Sequence, residues 1–215
     1  EMGLPIGRLL CASNSNNVLT DFIATGKYDR NRPFYNTVSP SMDILISSNL
    51  ERLLYLLSGG DDKLVAGYMK ELSDTGCYQV SEEMRKKIQS VFVGGFSSEA
   101  ETEATIGKMM DEHKYLIDTH TAVAFHVLEQ YRKETGDQTK TVVASTASPF
   151  KFCDAVLDAL NVTDKATGTA LLDQLAEVSG MPAPQPLATL KDKQVRFTSW
   201  TEKEQMRAVV TDFLK

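Results

Sequence analysis

The chain has 215 residues, of which 42% are hydrophobic and 24% are charged, and its formal net charge is −6. This composition is typical of a globular protein that buries a substantial core. No basic stripe favours nucleic-acid binding. No apolar run approaches the roughly 20 residues that cross a bilayer, and no secretory signal pattern is found. We therefore expect a cytoplasmic protein with neither a nucleic-acid nor a membrane partner.

The first predicted element is a short buried strand at 8–13, "RLLCAS", which ends at the polar cluster "NSNN" (14–17). A short helix then runs to Gly26, since glycine readily adopts the left-handed conformation that ends many helices. Residues 27–43 lack periodicity and contain two prolines. They predict a loop on the same side of the sheet as 14–17.

Amphipathic helices dominate the middle of the chain. Ser48 and Glu51 have the spacing of a capping box, and apolar residues on most faces of the helix they begin indicate that it is largely buried. Ser98 and Glu101 form a second capping box. The helices are predicted over 47–60, 61–76, 81–95, 98–113 and 119–135.

The second convincing strand is "KTVVAS" at 140–145. Ser148 can cap the following helix, with Pro149 at its first position, where the missing N–H costs nothing. The remaining predicted elements are a helix at about 167–178, a proline-rich connector at 180–186 and a closing helix capped by Thr201 and Glu204.

Two strands joined through helices predict an α/β protein with a parallel sheet. Two strands are too few for a stable open sheet, since the average sheet has about five to six. The sequence therefore predicts a helix-rich α/β chain with a few parallel strands that is a piece of a larger protein.

Polar residues stand at the ends of both predicted strands. Asn14, Asn16 and Asn17 follow the first, and Ser145 and Thr146 lie at the end of the second. Because ligands bind at the carboxyl ends of parallel strands, these side chains converge on one crevice if the strands are neighbours. The alternative is that they only form turns and helix caps.

Motifs for metal or nucleotide chemistry are absent from the sequence. The three histidines, at 113, 120 and 126, lack the spacing of a zinc site, and no HExxH or CxxC occurs. Glycine-rich nucleotide loops and the GxSxG elbow are also missing. We expect no metal site, structural histidines, and reduced thiols at the three cysteines.

Four blocks of the sequence, in collinear order, resemble the C-terminal part of bacterial and fungal threonine synthases. They are "LLCASNSNNVLTDFIATGKYD", "SPSMDILISSNLERLL", "LIDTHTAVA" and "STASPFKF". The resemblance implies the pyridoxal-phosphate (PLP) fold type II, or tryptophan synthase β-like, architecture. It also implies conversion of O-phosphohomoserine and water to threonine and phosphate. Residues 1–178 would be the end of the PLP-binding α/β domain with a helical insertion, and 179–215 a C-terminal connector and helix.

The resemblance also implies site residues. The pyridine nitrogen of the cofactor would face a hydroxyl from the "STASPFKF" block, with Thr146 as the first choice and Ser145 as the second. A hydroxyl partner leaves a weaker electron sink than a carboxylate, which suits elimination and replacement chemistry. Lys151 is either a phosphate contact or a surface lysine. The other residues placed near the substrate are Asn14, Asn16, Asn17, Ser41 and Asp43.

Two parts of the family's machinery have no counterpart in this sequence. The Schiff-base lysine and the glycine–asparagine loop that holds the cofactor phosphate lie upstream in the family. We therefore expect no catalytic lysine in this chain, no activity on its own and little cofactor binding. The alternatives are a non-catalytic helical domain that self-associates through an exposed former interface, and another PLP fold type II lyase.

Overall fold

Residues 3–215 are described by a computed structural model in which helices surround two short sheets. The strands are β1 (Leu9–Ser13), β2 (Lys27–Asp29), β3 (Cys77–Gln79) and β4 (Phe92–Phe96). The helices are α1 (Val18–Thr25), α2 (Leu50–Leu57), α3 (Asp62–Thr75), α4 (Glu82–Val91), α5 (Glu99–His113), α6 (Thr119–Thr135), α7 (Cys153–Ala159), α8 (Ala170–Ser179), α9 (Gln185–Ala188) and α10 (Met206–Phe213).

The two sheets differ in direction. Strands β1 and β4 are parallel, with Leu9 opposite Phe92 and Ser13 opposite Phe96. Strands β2 and β3 are antiparallel and place Tyr28 opposite Tyr78. The predicted first strand and the loop after it are therefore confirmed, and its partner is a strand that the sequence did not indicate.

Strand β4 was predicted as the end of a helix, and that prediction was wrong. Its sequence, "FVGGF", contains two glycines, which are poor strand formers. Both are needed for packing: a Cβ on Gly94 would lie 3.0 Å from the backbone of Thr20, and one on Gly95 would lie 2.6 Å from Val127. Helices α1 and α6 thus approach β4 too closely for any larger residue.

The strand predicted at 140–145 is not formed. These residues are irregular, and the side chain of Val142 is 96% exposed. Residues 141–144 line a cavity of about 220 Å³ together with Leu10 of β1 and Leu128 of α6. Within residues 3–215 no strand pairs with this segment. A β-branched, apolar sequence needs a ladder partner to become a strand, and here it has none.

Two hydrophobic clusters form the core. The first joins α1 to α4 around Phe22, whose ring packs edge-on against Tyr28 and Tyr78; those two rings stack at 5.3 Å. The second joins α5 to α8, with Ile106 and Leu157 at its centre. Sheet β1–β4 is packed against α1 and α6.

Helix ends follow the sequence in most places. Helix α1 ends at Gly26 in the left-handed conformation, and Ser98 and Glu101 form the expected capping box of α5. The box expected from Ser48 is absent, because α2 begins at Leu50 without a side-chain cap. That helix is mostly exposed rather than buried, with only Leu50 and Leu54 in the core.

The last part of the chain, residues 193–215, is an exposed arm. Phe197, Trp200 and Phe213 are 76%, 84% and 84% exposed, and no residue of α10 is buried. The expected cap of α10 by Thr201 does not form, since this hydroxyl contacts Gln205 instead. Among the described residues, none of the helices combines the length and hydrophobicity that a membrane span requires.

Candidate functional site

Two asparagines that follow β1 are buried in a polar cluster. The side-chain carbonyl of Asn14 accepts a hydrogen bond from the backbone N–H of Asn16 at 2.9 Å, which turns the chain sharply after the strand. The amide of Asn14 donates to the hydroxyls of Thr37 and Ser39, at 2.8 and 3.0 Å. The cluster therefore ties the loop 14–17 to the loop 37–43.

The carboxylate of Asp43 is the main acceptor in this cluster. It accepts from the side-chain amides of Asn14 and Asn16, at 2.8 and 3.0 Å, and from the hydroxyl and N–H of Thr37, at 2.7 and 3.0 Å. The donor hydrogens of both asparagines are thus used inside the protein. Asn14, Asn16 and Asp43 hold the two loops together, and their contact with a substrate stays a prediction.

Asn17 is bound on the other side of its loop. Its side-chain oxygen accepts from Arg32, whose guanidinium also pairs with Asp21 at 2.8 Å. Asn17 is therefore not in the hydrogen-bonded cluster of Asn14 and Asn16.

A histidine connects the 37–43 loop to helix α6. The ring nitrogen Nε2 of His120 accepts from the backbone N–H of Ser41 at 3.1 Å, and Nδ1 lies 3.0 Å from the carboxylate of Asp118. Asp118 is fully buried and caps α6. Burial alone would raise the pKa of Asp118, but hydrogen bonds from His120 and Thr121 outweigh it and hold the pKa below its ordinary value.

The same carboxylate orders the hydroxyl of Ser145. A carboxylate only accepts, so the hydroxyl of Thr121 donates to Asp118. The Thr121 hydroxyl also donates to the hydroxyl oxygen of Ser145 at 2.9 Å, so it shares its hydrogen between the carboxylate and Ser145. The hydroxyl of Ser145 is therefore tied to helix α6 through Thr121.

Thr146 and Lys151 are both exposed but lie in different surroundings. Thr146 follows Ser145 directly, and within residues 3–215 its side chain makes no hydrogen bond. Lys151 lines a cavity of about 420 Å³ with residues of α7, α8 and α9, among them Asp154 and Leu172. Lys151 is outside the hydrogen-bonded cluster, so the structure does not bring it together with the asparagines.

Sequence reasoning missed the residues that connect the site: Thr37, Ser39, Asp118, His120 and Thr121. One signal was present, because Asp118 directly precedes a helix and has the type of an N-cap. The long-range bond between His120 and Ser41 has no sequence signal, since 79 positions separate the two residues. No group of three or more His, Cys, Asp or Glu residues in 3–215 has a metal-binding arrangement.

The chain is similar to known proteins along most of its length. A family model described as "Threonine synthase, C-terminal" matches residues 121–210. Human threonine synthase-like 1 is 38% identical over 183 residues, which is 84% of this chain and 24% of the relative. The threonine synthase of Saccharomyces cerevisiae is 37% identical over 175 residues, which is 75% of this chain and 34% of the relative.

Solved structures agree over almost the whole chain. PLP-bound threonine synthase from Brucella melitensis matches 99% of this chain and 41% of its own length, with 34% identity and a TM-score of 0.80. The chain belongs to the threonine synthase family. The structure of yeast threonine synthase matches 99% of this chain and 43% of the yeast chain, with 31% identity and a TM-score of 0.83.

The resemblance seen in the sequence is therefore confirmed, and so is the fold class: this threonine synthase-family chain has the architecture of the C-terminal part of a PLP fold type II enzyme. The chain spans 24% to 43% of the length of these relatives. The activity, substrate and partners of a whole enzyme are therefore matters of proposal for this chain.

Proposed function

We propose that this chain is the C-terminal part of a threonine synthase and supplies one wall of its PLP site. The observation that carries the proposal is the agreement with a PLP-bound threonine synthase over 99% of the chain. Residues 1–178 belong in this proposal to the cofactor domain, and 179–215 form the connector and helix that follow it. The substrate is O-phosphohomoserine, and the products are threonine and phosphate.

Thr146 fits the pyridine nitrogen of the cofactor better than Ser145 does. Both residues are exposed, but the hydroxyl of Ser145 is hydrogen-bonded to Thr121, and the side chain of Thr146 makes no hydrogen bond in residues 3–215. Pyridoxal phosphate, when bound, supplies an electron sink for the carbanions of elimination and replacement chemistry. Thr146 would hold the cofactor by donating a hydrogen bond, without transferring its proton, to an unprotonated ring nitrogen, and this would moderate that sink.

The loops 14–17 and 37–43 form the substrate side of the site in this proposal. Asn14, Asn16 and Asp43 fix the loop backbones, and this leaves the hydroxyl of Ser41 exposed at the surface. A rigid loop positions substrate groups at little entropic cost. The chain offers no lysine in the context of a Schiff-base motif, so we infer that it is inactive alone and binds PLP weakly.

The test is a fusion of this chain to the part of yeast threonine synthase that precedes the matched region. The fusion should release phosphate from O-phosphohomoserine in the presence of PLP and produce threonine. Thr146→Ser should retain most of the activity, and Thr146→Val should lose about 10- to 100-fold, the value of one hydrogen bond to the reacting system. Release of ammonia from serine or threonine instead of phosphate would favour another fold type II lyase.

A second candidate is self-association, which the exposed arm favours. The apolar residues Val195, Phe197, Trp200, Phe213 and Leu214 are each more than 70% exposed, and apolar side chains exposed to this degree favour binding to a partner. Sedimentation of the full chain against a variant ending at residue 192 separates the cases. A concentration-dependent dimer that the truncation abolishes supports self-association, and a monomer in both contradicts it.

A further inference from the structure

We propose that Asp118 and His120 are a positioning pair that locks the 37–43 loop to the segment carrying Ser145 and Thr146. His120 is buried at the start of α6, between these two parts of the chain. The pair contacts both of them through hydrogen bonds of 3.1 Å or less or through one intervening hydroxyl, and neither residue was expected in the site.

The geometry assigns a single protonation state to His120. The carboxylate of Asp118 only accepts, so Nδ1, at 3.0 Å, carries a proton. The backbone N–H of Ser41 only donates, so Nε2, at 3.1 Å, is bare. The ring is therefore neutral and in the Nδ1–H form, which is the reverse of the form that a free neutral histidine prefers.

Packing fixes the plane of the ring as well as its proton. The ring of Phe152 lies 4.8 Å from that of His120 at an interplanar angle of 58°. Phe152 and Thr146 both lie in the segment 145–152, so His120 contacts this segment directly. The hydrogen-bonded path through Asp118, Thr121 and Ser145 is a second connection to it.

The consequence for function follows from these contacts. The Asp118–His120 pair sets the distance between the 37–43 loop and Thr146. In the proposed function, on which this part of the inference rests, the substrate lies beside that loop and the cofactor beside Thr146. A positioning pair of this kind acts on the rate through small displacements, because a shift of about 1 Å costs roughly a hundredfold.

The first experiment uses the full chain and needs no cofactor. Nitrogen-15 NMR of the histidine rings should show His120 with a protonated Nδ1 and a bare Nε2, while exposed His113 should show the ordinary Nε2–H form. His120→Leu should speed hydrogen exchange at the Ser41 amide about tenfold, as loss of one hydrogen bond predicts. Ser41→Ala keeps the backbone N–H and should leave the His120 ring signals unchanged.

The second experiment uses the fusion and separates positioning from folding. His120→Gln places an acceptor oxygen near the position of Nε2 and should keep phosphate release within about tenfold of wild type, while His120→Leu should lose about a hundredfold. An Nε2–H ring in the full chain, or equal Ser41 exchange with and without His120, overturns the inference whatever the fusion does. A correct ring state in a fusion that releases no phosphate counts against the proposed function alone.

Discussion

Asp43 is the main hydrogen-bond acceptor of the cluster formed by the loops 14–17 and 37–43, and its removal should destabilise the fold measurably. Its carboxylate accepts four hydrogen bonds, from Asn14, Asn16 and twice from Thr37. Three of the four donors have a second acceptor nearby, but the N–H of Thr37 has no other in residues 3–215. Asp43→Ala therefore leaves one donor unpaired and weakens three others.

The expected loss follows from those contacts. An unpaired donor to a charged group costs about 1.5–3 kcal/mol, and exchange of three charged bonds for neutral ones adds about 0.5 kcal/mol each, which gives about 3–4.5 kcal/mol. Urea denaturation followed by circular dichroism measures the difference in the free energy of unfolding. The control is Asp74→Ala. Within residues 3–215 Asp74 forms an ion pair only with Lys70, on the surface, so its replacement should cost less than about 0.5 kcal/mol. A loss below about 1 kcal/mol for Asp43→Ala would refute the reasoning.

Three other outcomes follow from the structure. The buried hydroxyl of Tyr78 has no hydrogen-bond partner in residues 3–215, so Tyr78→Phe should be neutral or stabilise the fold by up to about 1 kcal/mol. Tyr28→Phe should destabilise the fold by about 1–2 kcal/mol, because the Tyr28 hydroxyl donates to a backbone carbonyl and accepts from a backbone N–H. Urea titrations of both variants check this, and equal effects would contradict it. Asp118 has a pKa below its ordinary 3.8, so its charge stabilises the fold above about pH 4 and that stabilisation is lost as the pH falls; Asp118→Asn should flatten the acid side of the stability–pH profile, and parallel profiles would count against this. The single tryptophan, Trp200, should fluoresce like a solvated indole in the dilute chain, and a blue-shifted emission there would mean that the arm is buried.

The sequence predicted those parts of the fold that depend on local signals. Strand β1, the helix ending at Gly26 and the capping box at Ser98 all follow from residues within a few positions of one another. Strand β4 and the segment 140–145 were missed for opposite reasons. Strand β4 contains two glycines because α1 and α6 pack closely against it. The segment 140–145 is apolar and β-branched, but it stays irregular because it has no strand partner within residues 3–215.

The sequence indicated the residue types around the candidate site and not the connections between them. The polar clusters after β1 and at 145–146 were visible, and the family resemblance indicated which hydroxyl to choose. The contact of Asn14 and Asn16 with a substrate stays a prediction. What the sequence did not show is that their donors bond to Asp43, Thr37 and Tyr35, because a buried amide must be paired. Such pairing joins residues 19 to 29 positions apart, which no local pattern reveals.

The most direct measurement of the account is a crystal structure of the fusion with PLP bound. We expect the hydroxyl oxygen of Thr146 at about 2.7–3.2 Å from the pyridine nitrogen, with Ser145 still bonded to Thr121. A pyridine nitrogen that contacts a carboxylate, or that has Thr146 turned away from it into solvent, would contradict the claim that this chain supplies the ring-nitrogen side of a threonine synthase site.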